Sequence, residues 1–190
     1  MPQLTEVRWH GRGGQGAKTA GYVLAEAAAA DGWQIQAFPE YGAERRGAPI
    51  RSYVRISDAP IRLRCPVRHP QVVIVLDDTL LGSEDVSAGA ADDAIVLVNT
   101  TLSPDEVRKQ LSNPNLRVAT VDATGISLDT IKRDIPNTPM LGALAKTTTT
   151  VTLDGAKRAV HEKLAGKLSE AVLQGNLAAI DRAYQEVREA

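Results

Sequence analysis

The sequence predicts a three-layer α/β/α domain with a mostly parallel sheet, an arginine-rich β-hairpin and C-terminal helices. Strand-like and helix-like segments alternate along the chain, as in folds built from βαβ units. Three segments are unbroken apolar runs, typical of strands that are covered on both faces. Aromatic residues make up only 4% of the chain, so small aliphatic side chains must fill the core. We interpret residues 1–190 as a single domain, because this length is ordinary for one domain.

The first 38 residues predict a βαβ unit. Residues 4–10 (LTEVRWH) indicate a strand, and the alanine-rich segment 17–30 that follows the glycines indicates a helix. Residues 33–38 (WQIQAF) indicate a second strand. Two parallel strands need a crossover connection, which the helix would supply.

The next segment predicts an exposed loop followed by a hairpin. Residues 39–49 (PEYGAERRGAP) mix proline, glycine and charge without apolar periodicity, which is typical of a loop. Residues 50–57 alternate in character, and residues 61–64 (IRLR) follow a turn-like Asp-Ala-Pro, which together predict a hairpin. Residues 45–68 are strongly basic, since Asp58 is their one acid against seven arginines: Arg45, Arg46, Arg51, Arg55, Arg62, Arg64 and Arg68.

The rest of the chain predicts three buried strands and several helices. The strands are the apolar runs within residues 72–78, 94–100 and 116–124. Between the last two, Ser103 precedes a proline and lies three residues before Glu106, which predicts a helix with a capping box. Thr138 and the following proline predict another helix start. Two further helices are expected after residue 150, the last with an apolar stripe at Leu168, Val172, Leu177, Ile180, Tyr184 and Val187.

The fold class predicts where a ligand would bind. Ligands of open α/β sheets bind beyond the carboxyl ends of the strands. In this chain those ends carry the glycine loop together with polar side chains, which we expect to lie close together: Asp77, Asp78, Asn99, Thr100 and Asp122.

The glycine loop has the composition of an anion-binding turn. Gly11, Gly13 and Gly16 fit the spacing G-x-G-x-x-G, and the loop leads to a helix N-terminus whose free N–H groups attract anions. A dinucleotide-binding domain would also need an acid after the second strand. Glu40 is roughly placed for this role, but it lies in the loop that turns basic. A tight turn without any ligand remains the alternative interpretation.

Other common sites fit less well. A phosphate-loop NTPase needs Gly-Lys-Ser/Thr, whereas this chain has Gly16-Ala17-Lys18-Thr19. The three histidines are far apart and show no zinc-ligand spacing. Asp77 and Asp78 are adjacent on a strand and point to opposite faces, so we favour strand termination over magnesium binding. We interpret the lone Cys65 as inert, because one thiol can form neither an internal disulfide nor an iron–sulfur site.

Charge and hydropathy exclude several partners. The net charge of −1 argues against a surface devoted to nucleic acid. The N-terminus has no signal-peptide pattern and no segment is long and apolar enough to span a membrane, so we expect a cytoplasmic protein without a membrane partner. The arginine cluster is either a solvated face or a receptor for an acidic partner or a phosphorylated cofactor.

Five stretches in this order resemble the gamma subunit, or the equivalent internal domain, of 2-oxoacid:ferredoxin oxidoreductases, and the pyruvate enzyme is the most similar. They are GRGGQGAKTAG, FPEYGAERRGAPIRSYVRIS, VVIVLDDTLL, VDATGI and NTPMLGALAK. The resemblance covers essentially the whole chain. It implies a subunit, inactive alone, of a complex that converts pyruvate and coenzyme A to acetyl-CoA and CO2 and passes electrons to ferredoxin.

The resemblance also implies how cofactors are distributed. Thiamine diphosphate, Mg2+ and [4Fe-4S] clusters would belong to alpha, beta and delta-type partner subunits, and ferredoxin would accept electrons from the complex. With one cysteine, this chain cannot hold a cluster itself. No cofactor would be bound by this chain alone and no catalytic or metal-binding residue is assigned to it, but coenzyme A would lie at its interface.

The phosphates of coenzyme A suit a helix N-terminus beside arginines. The expected binding residues are Gly11, Arg12, Gly13, Gly14, Gln15, Gly16, Arg45, Arg46 and Arg51. Three alternatives stay open. The complex would act on 2-oxoisovalerate, 2-oxoglutarate or indolepyruvate; the chain would be a free-standing Rossmann-like nucleotide-binding module; or it would be a scaffold without a ligand. A dehydrogenase would need a catalytic pair such as Tyr-x-x-x-Lys, which is not visible.

Overall fold

A computed structural model describes residues 3–40 and 47–190. Its described part contains one seven-stranded sheet. The strands are β1 (Leu4–Arg12), β2 (Gln34–Pro39), β3 (Pro49–Ser57), β4 (Val72–Val75), β5 (Ile95–Asn99), β6 (Arg117–Val121) and β7 (Arg188–Glu189).

Six α-helices and a short 3₁₀ helix (Asp78–Gly82) cover this sheet. The α-helices are α1 (Ala17–Ala30), α2 (Pro104–Arg108), α3 (Ala123–Ile131), α4 (Asn137–Thr147), α5 (Leu153–Leu164) and α6 (Glu170–Glu186).

The strand order β2-β3-β1-β4-β5-β6-β7 confirms the mostly parallel α/β fold. Strands β1, β4, β5 and β6 pair in parallel, while β3 and β7 run antiparallel to their neighbours. The predicted unit of β1, α1 and β2 forms with parallel strands. However, β3 lies between β1 and β2 and pairs antiparallel with both.

The predicted hairpin of residues 50–57 with 61–64 is wrong. The first segment forms β3 as expected, but residues 61–64 contain no strand. The physical reason is burial. Val54 and Ile56 of β3 pack into the helix-covered core, so β3 pairs inside the sheet with β1 and β2. A hairpin with residues 61–64 would instead have left β3 near an exposed edge. The arginine-rich region is therefore one internal strand followed by an irregular exposed segment, and Arg45 and Arg46 lie outside the described residues.

The two faces of the sheet are covered unequally. Helices α1, α3, α4, α5 and α6 contribute to the larger apolar core on one face. On the other face, the 3₁₀ helix and α2 cover a smaller core against β4, β5 and β6. Among the described residues, no helix of that second layer contributes to a core over β1 and β3, where Arg8 and Arg55 are buried. The glycine loop therefore sits where the thick helical layer meets the carboxyl ends of the parallel strands.

Several helix ends follow from local side chains. The capping box of Ser103 and Glu106 forms at the start of α2 as predicted. The predicted start of α4 at Thr138 is wrong by one residue, because the helix begins at Asn137 after Pro136. The sequence analysis missed α3, although Asp122 caps it by accepting from the Gly125 N–H. In the described part of the chain, every helix is too short or too polar to cross a membrane.

Candidate functional site

The glycine loop connects β1 to α1 through two left-handed glycines. Gly14 has φ of 105° and Gly16 has φ of 84°, a conformation that side-chain-bearing residues rarely adopt. Gly16 is constrained further by its neighbour, since a Cβ there would lie 2.5 Å from Nδ2 of Asn137. A Cβ on Gly14 would meet nothing within 4 Å. The backbone is therefore tightly packed at Gly16 and open at Gly14.

Hydrogen bonds hold the loop in one conformation. The Gln15 side chain spans it, because Oε1 accepts from the Arg12 N–H at 2.7 Å and Nε2 donates to Asp77 at 2.7 Å. The Gly13 N–H donates to the carbonyl of Ala48 at 3.0 Å. The loop is thus fixed to β4 on one side and to the start of β3 on the other.

The N-terminus of α1 has no side-chain cap. Its N-cap residue is Gly16, and the first turn carries no acidic residue. The first N–H groups of a helix have no partner within the helix and carry partial positive charge. This end of α1 therefore presents free donors beside the loop, which is the arrangement expected of an anion-binding turn.

The carboxyl ends of the parallel strands gather as predicted. A cavity of about 320 Å³ lies there, lined by Gln15, Asp77, Asp78, Asn99, Asp122 and Asp134 among others. Its acids are engaged in local structure. Asp77 caps the 3₁₀ helix, Asp78 accepts from the Thr100 hydroxyl, and Asp122 caps α3. We refer to this acidic space as the strand-end cavity.

The strand-end cavity is unfavourable for a phosphate. Burial alone would raise the pKa of Asp77, but hydrogen bonds from Thr79 and Gln15 and the charge of Arg12 lower it below its ordinary value. Asp77 therefore stays ionised and, with the other acids, would repel an anion.

A second cavity lies on the other side of the loop. It measures about 310 Å³ and is bounded by α1, α4, α5, α6 and the connection between α3 and α4. We call it the helix-side cavity, lined among others by Gly14, Gly16, Val23, Leu141, Leu164 and Val172. Arg133 and Lys163 also line it, and Lys163 donates to Glu26 at 2.6 Å. The lining itself contains no acid, in contrast to the strand-end cavity. The two cavities meet the loop from opposite sides.

The two described arginines of the predicted site are already paired with acids. The Arg12 guanidinium lies 3.3 Å from Asp77 and donates to the Thr79 hydroxyl. Arg51 lies 3.2 Å from Glu84 and 4.0 Å from Glu40. Burial would lower the pKa of Arg51, but its hydrogen bond and attraction to Glu84 raise it. Their cationic charge is therefore shared with internal carboxylates.

A buried polar cluster beneath these arginines was missed by the sequence analysis. Arg8 donates through Nε to His10 Nε2 at 3.0 Å and through Nη2 to the carbonyls of both Val86 and Ala88 at 2.8 Å. Nε2 of His10 accepts a hydrogen bond, so its Nδ1 carries the proton and faces Glu84 at 3.4 Å. The strict alternation of β1, with polar residues at every second position from 6 to 12, was the available signal.

Burial, followed by the charges of Arg8 and Arg51, lowers the pKa of His10 from 6.5 to about 3. His10 is therefore neutral at ordinary pH, which is the state that its bond from Arg8 requires. Beside it, burial and a hydrogen bond to Glu40 raise the pKa of Tyr53 to about 12. The cluster lies next to the loop, because His10 immediately precedes Gly11 in the chain. His10 also pairs across the sheet with Arg51 of β3.

The described residues do not form a metal or cluster site. No group of three or more potential ligands comes together among residues 3–40 and 47–190. Cys65 has a free, exposed thiol. Its backbone carbonyl accepts a hydrogen bond from Arg55 at 2.8 Å. The donor set thus does not fit a [4Fe-4S] cluster, which takes four thiolates.

Comparison with known proteins identifies relatives along nearly the whole chain. A family model described as pyruvate ferredoxin/flavodoxin oxidoreductase matches residues 6–186. The pyruvate synthase subunit PorC of Thermotoga maritima is 49% identical over 183 residues, which cover 96% of this chain and 94% of that protein. The pyruvate/ketoisovalerate oxidoreductases common subunit gamma of Thermococcus kodakarensis is 48% identical over 167 residues, covering 88% and 90%.

The fold agrees with a solved relative. The crystal structure of pyruvate oxidoreductase subunit PORC from Thermotoga maritima superposes with a TM-score of 0.88 at 44% identity, covering 99% of each chain. The fold described above is thus similar to that of an experimentally determined protein.

Proposed function

The chain belongs to the pyruvate ferredoxin/flavodoxin oxidoreductase family, and we propose that it works as the gamma subunit of a multisubunit pyruvate:ferredoxin oxidoreductase. The observation that carries this proposal is the near full-length similarity to subunits named for that enzyme. We treat residues 1–190 as one domain of the complex, and we place the complex in the cytoplasm with ferredoxin as its electron acceptor.

The cofactors of the reaction are proposed to lie on the alpha, beta and delta-type subunits. Thiamine diphosphate supplies the chemistry that cleaves the 2-oxoacid, and clusters carry the electrons away. The described residues of this chain offer neither the thiolates nor a group of metal ligands for these cofactors. This chain would therefore bind and orient, and hold no reacting atom.

Its own contribution is proposed to be part of the coenzyme A site and of the subunit interface. The loop Gly11–Gly16, with Arg12, Gln15, Arg45, Arg46 and Arg51, is the proposed receptor. The free N–H groups of α1 and the open backbone at Gly14 support it. Arg12 and Arg51 keep solvent-exposed surface despite their pairing with acids, because 30% and 40% of their side chains are accessible.

Charge selects the side of the loop from which the ligand approaches. Phosphates would be repelled by the strand-end cavity, whose acids line the carboxyl ends of β4, β5 and β6. The helix-side cavity has no acid in its lining and includes Arg133, which favours an anion there. The phosphates are therefore proposed to meet the loop at the first turn of α1, on the helical side of the sheet. Arg12 and Arg51 lie on the other face, where they pair with Asp77 and Glu84, and would reach the ligand only at the edge of the sheet.

Replacement of Gly13 tests the coenzyme A assignment. In the reconstituted complex, Gly13→Val should raise the KM for coenzyme A several-fold, because the added side chain would stand where the ligand approaches the backbone. The KM for pyruvate should stay unchanged. Steady-state viologen reduction with each substrate varied in turn measures both constants.

Gly82→Val is the matched control. Gly82 ends the 3₁₀ helix, and a Cβ there would meet nothing within 4 Å, so both KM values should keep their wild-type levels. An assembled Gly13→Val complex with unchanged coenzyme A kinetics would contradict the assignment. The loop would then be a subunit contact only, an alternative that the internal pairing of Arg12 and Arg51 favours.

Substrate choice is proposed to be made in the other subunits. The Thermococcus relative is named as common to pyruvate and ketoisovalerate oxidoreductases, so one gamma subunit serves both of those enzymes. A complex acting on 2-oxoisovalerate is therefore the second candidate. Assays of the native complex with pyruvate and with branched 2-oxoacids distinguish the two.

A further inference from the structure

The two edge strands of the sheet differ in how they are protected from pairing with another chain. At one edge, β7 consists of only Arg188 and Glu189, and both residues are charged and exposed. Short, charged edge strands are a common protection against edge-to-edge pairing. At the other edge, β2 (Gln34–Pro39) has six residues and none of them is charged. The sheet is therefore protected at β7 and much less at β2.

Backbone groups of β2 face away from the sheet. The Glu40 N–H donates to the carbonyl of Arg51 in β3, and every second residue before Glu40 faces β3 in the same way. The N–H and C=O groups of Ile35 and Ala37 therefore point outward, while Pro39 has no N–H. In the described part of the chain β2 pairs with β3 alone, so these groups have no strand partner. We call this outward side of the strand the β2 edge.

Apolar side chains flank the β2 edge on both faces of the sheet. Ala37 packs against the helix-covered core, so Ile35, two residues earlier, lies on that face. Ile35 is 39% exposed, and Trp33, which precedes the strand, is 36% exposed. On the opposite face, the carbonyl of the exposed Leu63 accepts from Nε2 of Gln36 at 2.9 Å. An added strand would thus cover apolar surface as well as backbone groups.

The surface beside the β2 edge is basic. The exposed Arg62 and Arg64 flank Leu63, whose bond to Gln36 holds this segment over the middle of β2. The sequence contains no acidic residue between positions 58 and 77. An occupant of the β2 edge therefore meets positive charge on this face of the sheet.

A second copy of this chain fits the edge poorly. A symmetric antiparallel pair of β2 strands would place its two-fold axis near the middle of β2, at Gln36 and Ala37. Because Leu63 contacts Gln36, the arginines beside Leu63 in the two copies would be brought together near that axis. Like charges at short distance repel each other, so charge favours an occupant with acidic side chains.

We propose that the β2 edge pairs with an extended segment of another subunit, in which acidic residues alternate with apolar ones. The segment adds a strand to the sheet and bonds to the outward N–H and C=O groups of Ile35 and Ala37. Successive side chains of a strand point to opposite faces. Its acidic side chains therefore lie on the face of Arg62 and Arg64, and its apolar side chains lie on the face of Ile35.

This inference deepens the subunit interface of the proposed function and rests on it, because the partner is taken to be another subunit of the complex. It assigns that interface to a particular strand and to a particular chemistry of the partner. It does not depend on where coenzyme A binds, because the β2 edge contains no residue of the glycine loop.

Hydrogen exchange of single amides tests the added strand without any substitution. The N–H groups of Ile35 and Ala37 should exchange about tenfold or more slowly in the native complex than in the isolated full chain, because a ladder hydrogen bond protects them. The Glu189 N–H is the matched control. It points outward from β7, since the neighbouring Ala190 N–H donates to Val118, and it should keep its rate. Unchanged exchange of Ile35 and Ala37 would overturn the proposal.

Proline substitution tests the same ladder through assembly. Ala37→Pro replaces an outward N–H by a ring carbon and leaves the bonds between β2 and β3 in place. With an affinity tag on this chain, it should lower the yield of co-purified partner subunits by about tenfold or more. Glu189→Pro makes the matched change at the other edge and should retain the wild-type yield. Circular dichroism confirms folding of both variants, and a wild-type yield with folded Ala37→Pro would overturn the proposal.

Charge reversal tests the acidic character of the partner. Arg64→Glu should lower the yield of partner subunits several-fold, and the difference from the wild type should decrease at high salt. Lys167→Glu is the matched control, because Lys167 is exposed in the turn between α5 and α6 and lies outside the β2 edge. Equal yields from the two variants would overturn the acidic partner.

Two further outcomes separate this inference from its alternatives. Sedimentation of the isolated chain should give a monomer, and a dimer that Ala37→Pro dissociates would place a second copy on the β2 edge and overturn the proposal. Purification of the wild-type chain without partner subunits would overturn the proposed function together with this inference. Assembly of the wild type and of Ala37→Pro alike would overturn this inference alone. The two failures are therefore distinguishable.

Discussion

His10 shows how a titratable side chain is kept neutral by its surroundings. It is 1% exposed and lies beside the guanidinium groups of Arg8 and Arg51, which disfavour a second positive charge. Glu84 is the nearest acid, and Asp85 adds a weaker attraction. Burial outweighs both acids, which lowers the pKa to about 3. The imidazole therefore acts as a hydrogen-bond acceptor for Arg8.

This neutrality predicts a pH-dependent stability. Between pH 6.5 and about 3, the unfolded chain binds a proton at His10 that the folded chain does not, so stability decreases as pH falls through this window. From pH 7 to pH 5 the loss from His10 should be about 2 kcal/mol. Urea unfolding at the two pH values measures it. The variant His10→Gln, which keeps an acceptor for Arg8, should lose about 2 kcal/mol less, and an identical loss in both proteins would contradict the account.

Arg55 forms the most buried ion pair of the described residues. Its side chain is 1% exposed and contacts Glu6 at 2.7 Å, with further bonds to Gln36 and to the carbonyl of Cys65. Replacement by methionine would leave the mostly buried Glu6 without its partner. We therefore expect Arg55→Met to lower the free energy of unfolding by about 3 kcal/mol.

Arg62→Met is the control for this variant, because Arg62 is exposed in the irregular segment after β3. It should change stability by less than about 0.5 kcal/mol. Denaturant unfolding of the full chain compares the two. Equal losses of stability in the two variants would show that the buried Arg55–Glu6 ion pair does not contribute to the free energy of unfolding.

At the scale of elements, α4 and α6 pack more closely than ordinary helices. A Cβ on Gly142 of α4 would overlap the backbone carbonyl of Ile180 in α6. The absence of a side chain at Gly142 is thus what allows the two helices to approach.

Gly142→Ala should therefore destabilise the protein, although alanine is the better helix former by about 1 kcal/mol. The overlap forces the helices apart, and overpacking of this kind costs about 1–3 kcal/mol. We expect a net loss of up to about 2 kcal/mol in urea unfolding. Gly82→Ala, where the added carbon meets open space, should be neutral. A more stable Gly142→Ala chain would disprove the close approach.

The elements also show which parts of the fold can be predicted from sequence. The buried strands β4, β5 and β6 were found because long apolar runs have one stable environment, between two layers. Helix α2 was found because its capping box is local. The partners of β3 were not found. The turn after residue 57 is compatible with a hairpin, and only burial of Val54 and Ile56 against α1 favours pairing with β1.

In the candidate site, too, local features could be predicted from the sequence and contacts between distant residues could not. Backbone features were predictable, since the glycine spacing and the polar strand ends do meet at one edge of the sheet. Side-chain partners were not. Arg51 pairs with Glu84, 33 positions further along the chain, and Arg12 pairs with Asp77. The helix-side cavity forms only where four helices meet, so no local sequence pattern predicts it.

On the scale of the whole molecule, the fold has one thick helical layer and one incomplete layer. In the described part of the chain, the incomplete side covers the charged strands β1 and β3 with irregular segments, around Cys65 over Arg55 and around Val86 over Arg8. An exposed charged surface of this kind is suited to contact with a large protein partner.

Purification of the native complex through an affinity tag on this chain tests the central claim most directly. The account predicts that partner subunits co-purify, and that the complex reduces viologen only with both a 2-oxoacid and coenzyme A. The isolated chain should reduce nothing under the same conditions. Purification of this chain alone, with reduction of a nicotinamide cofactor, would contradict the account.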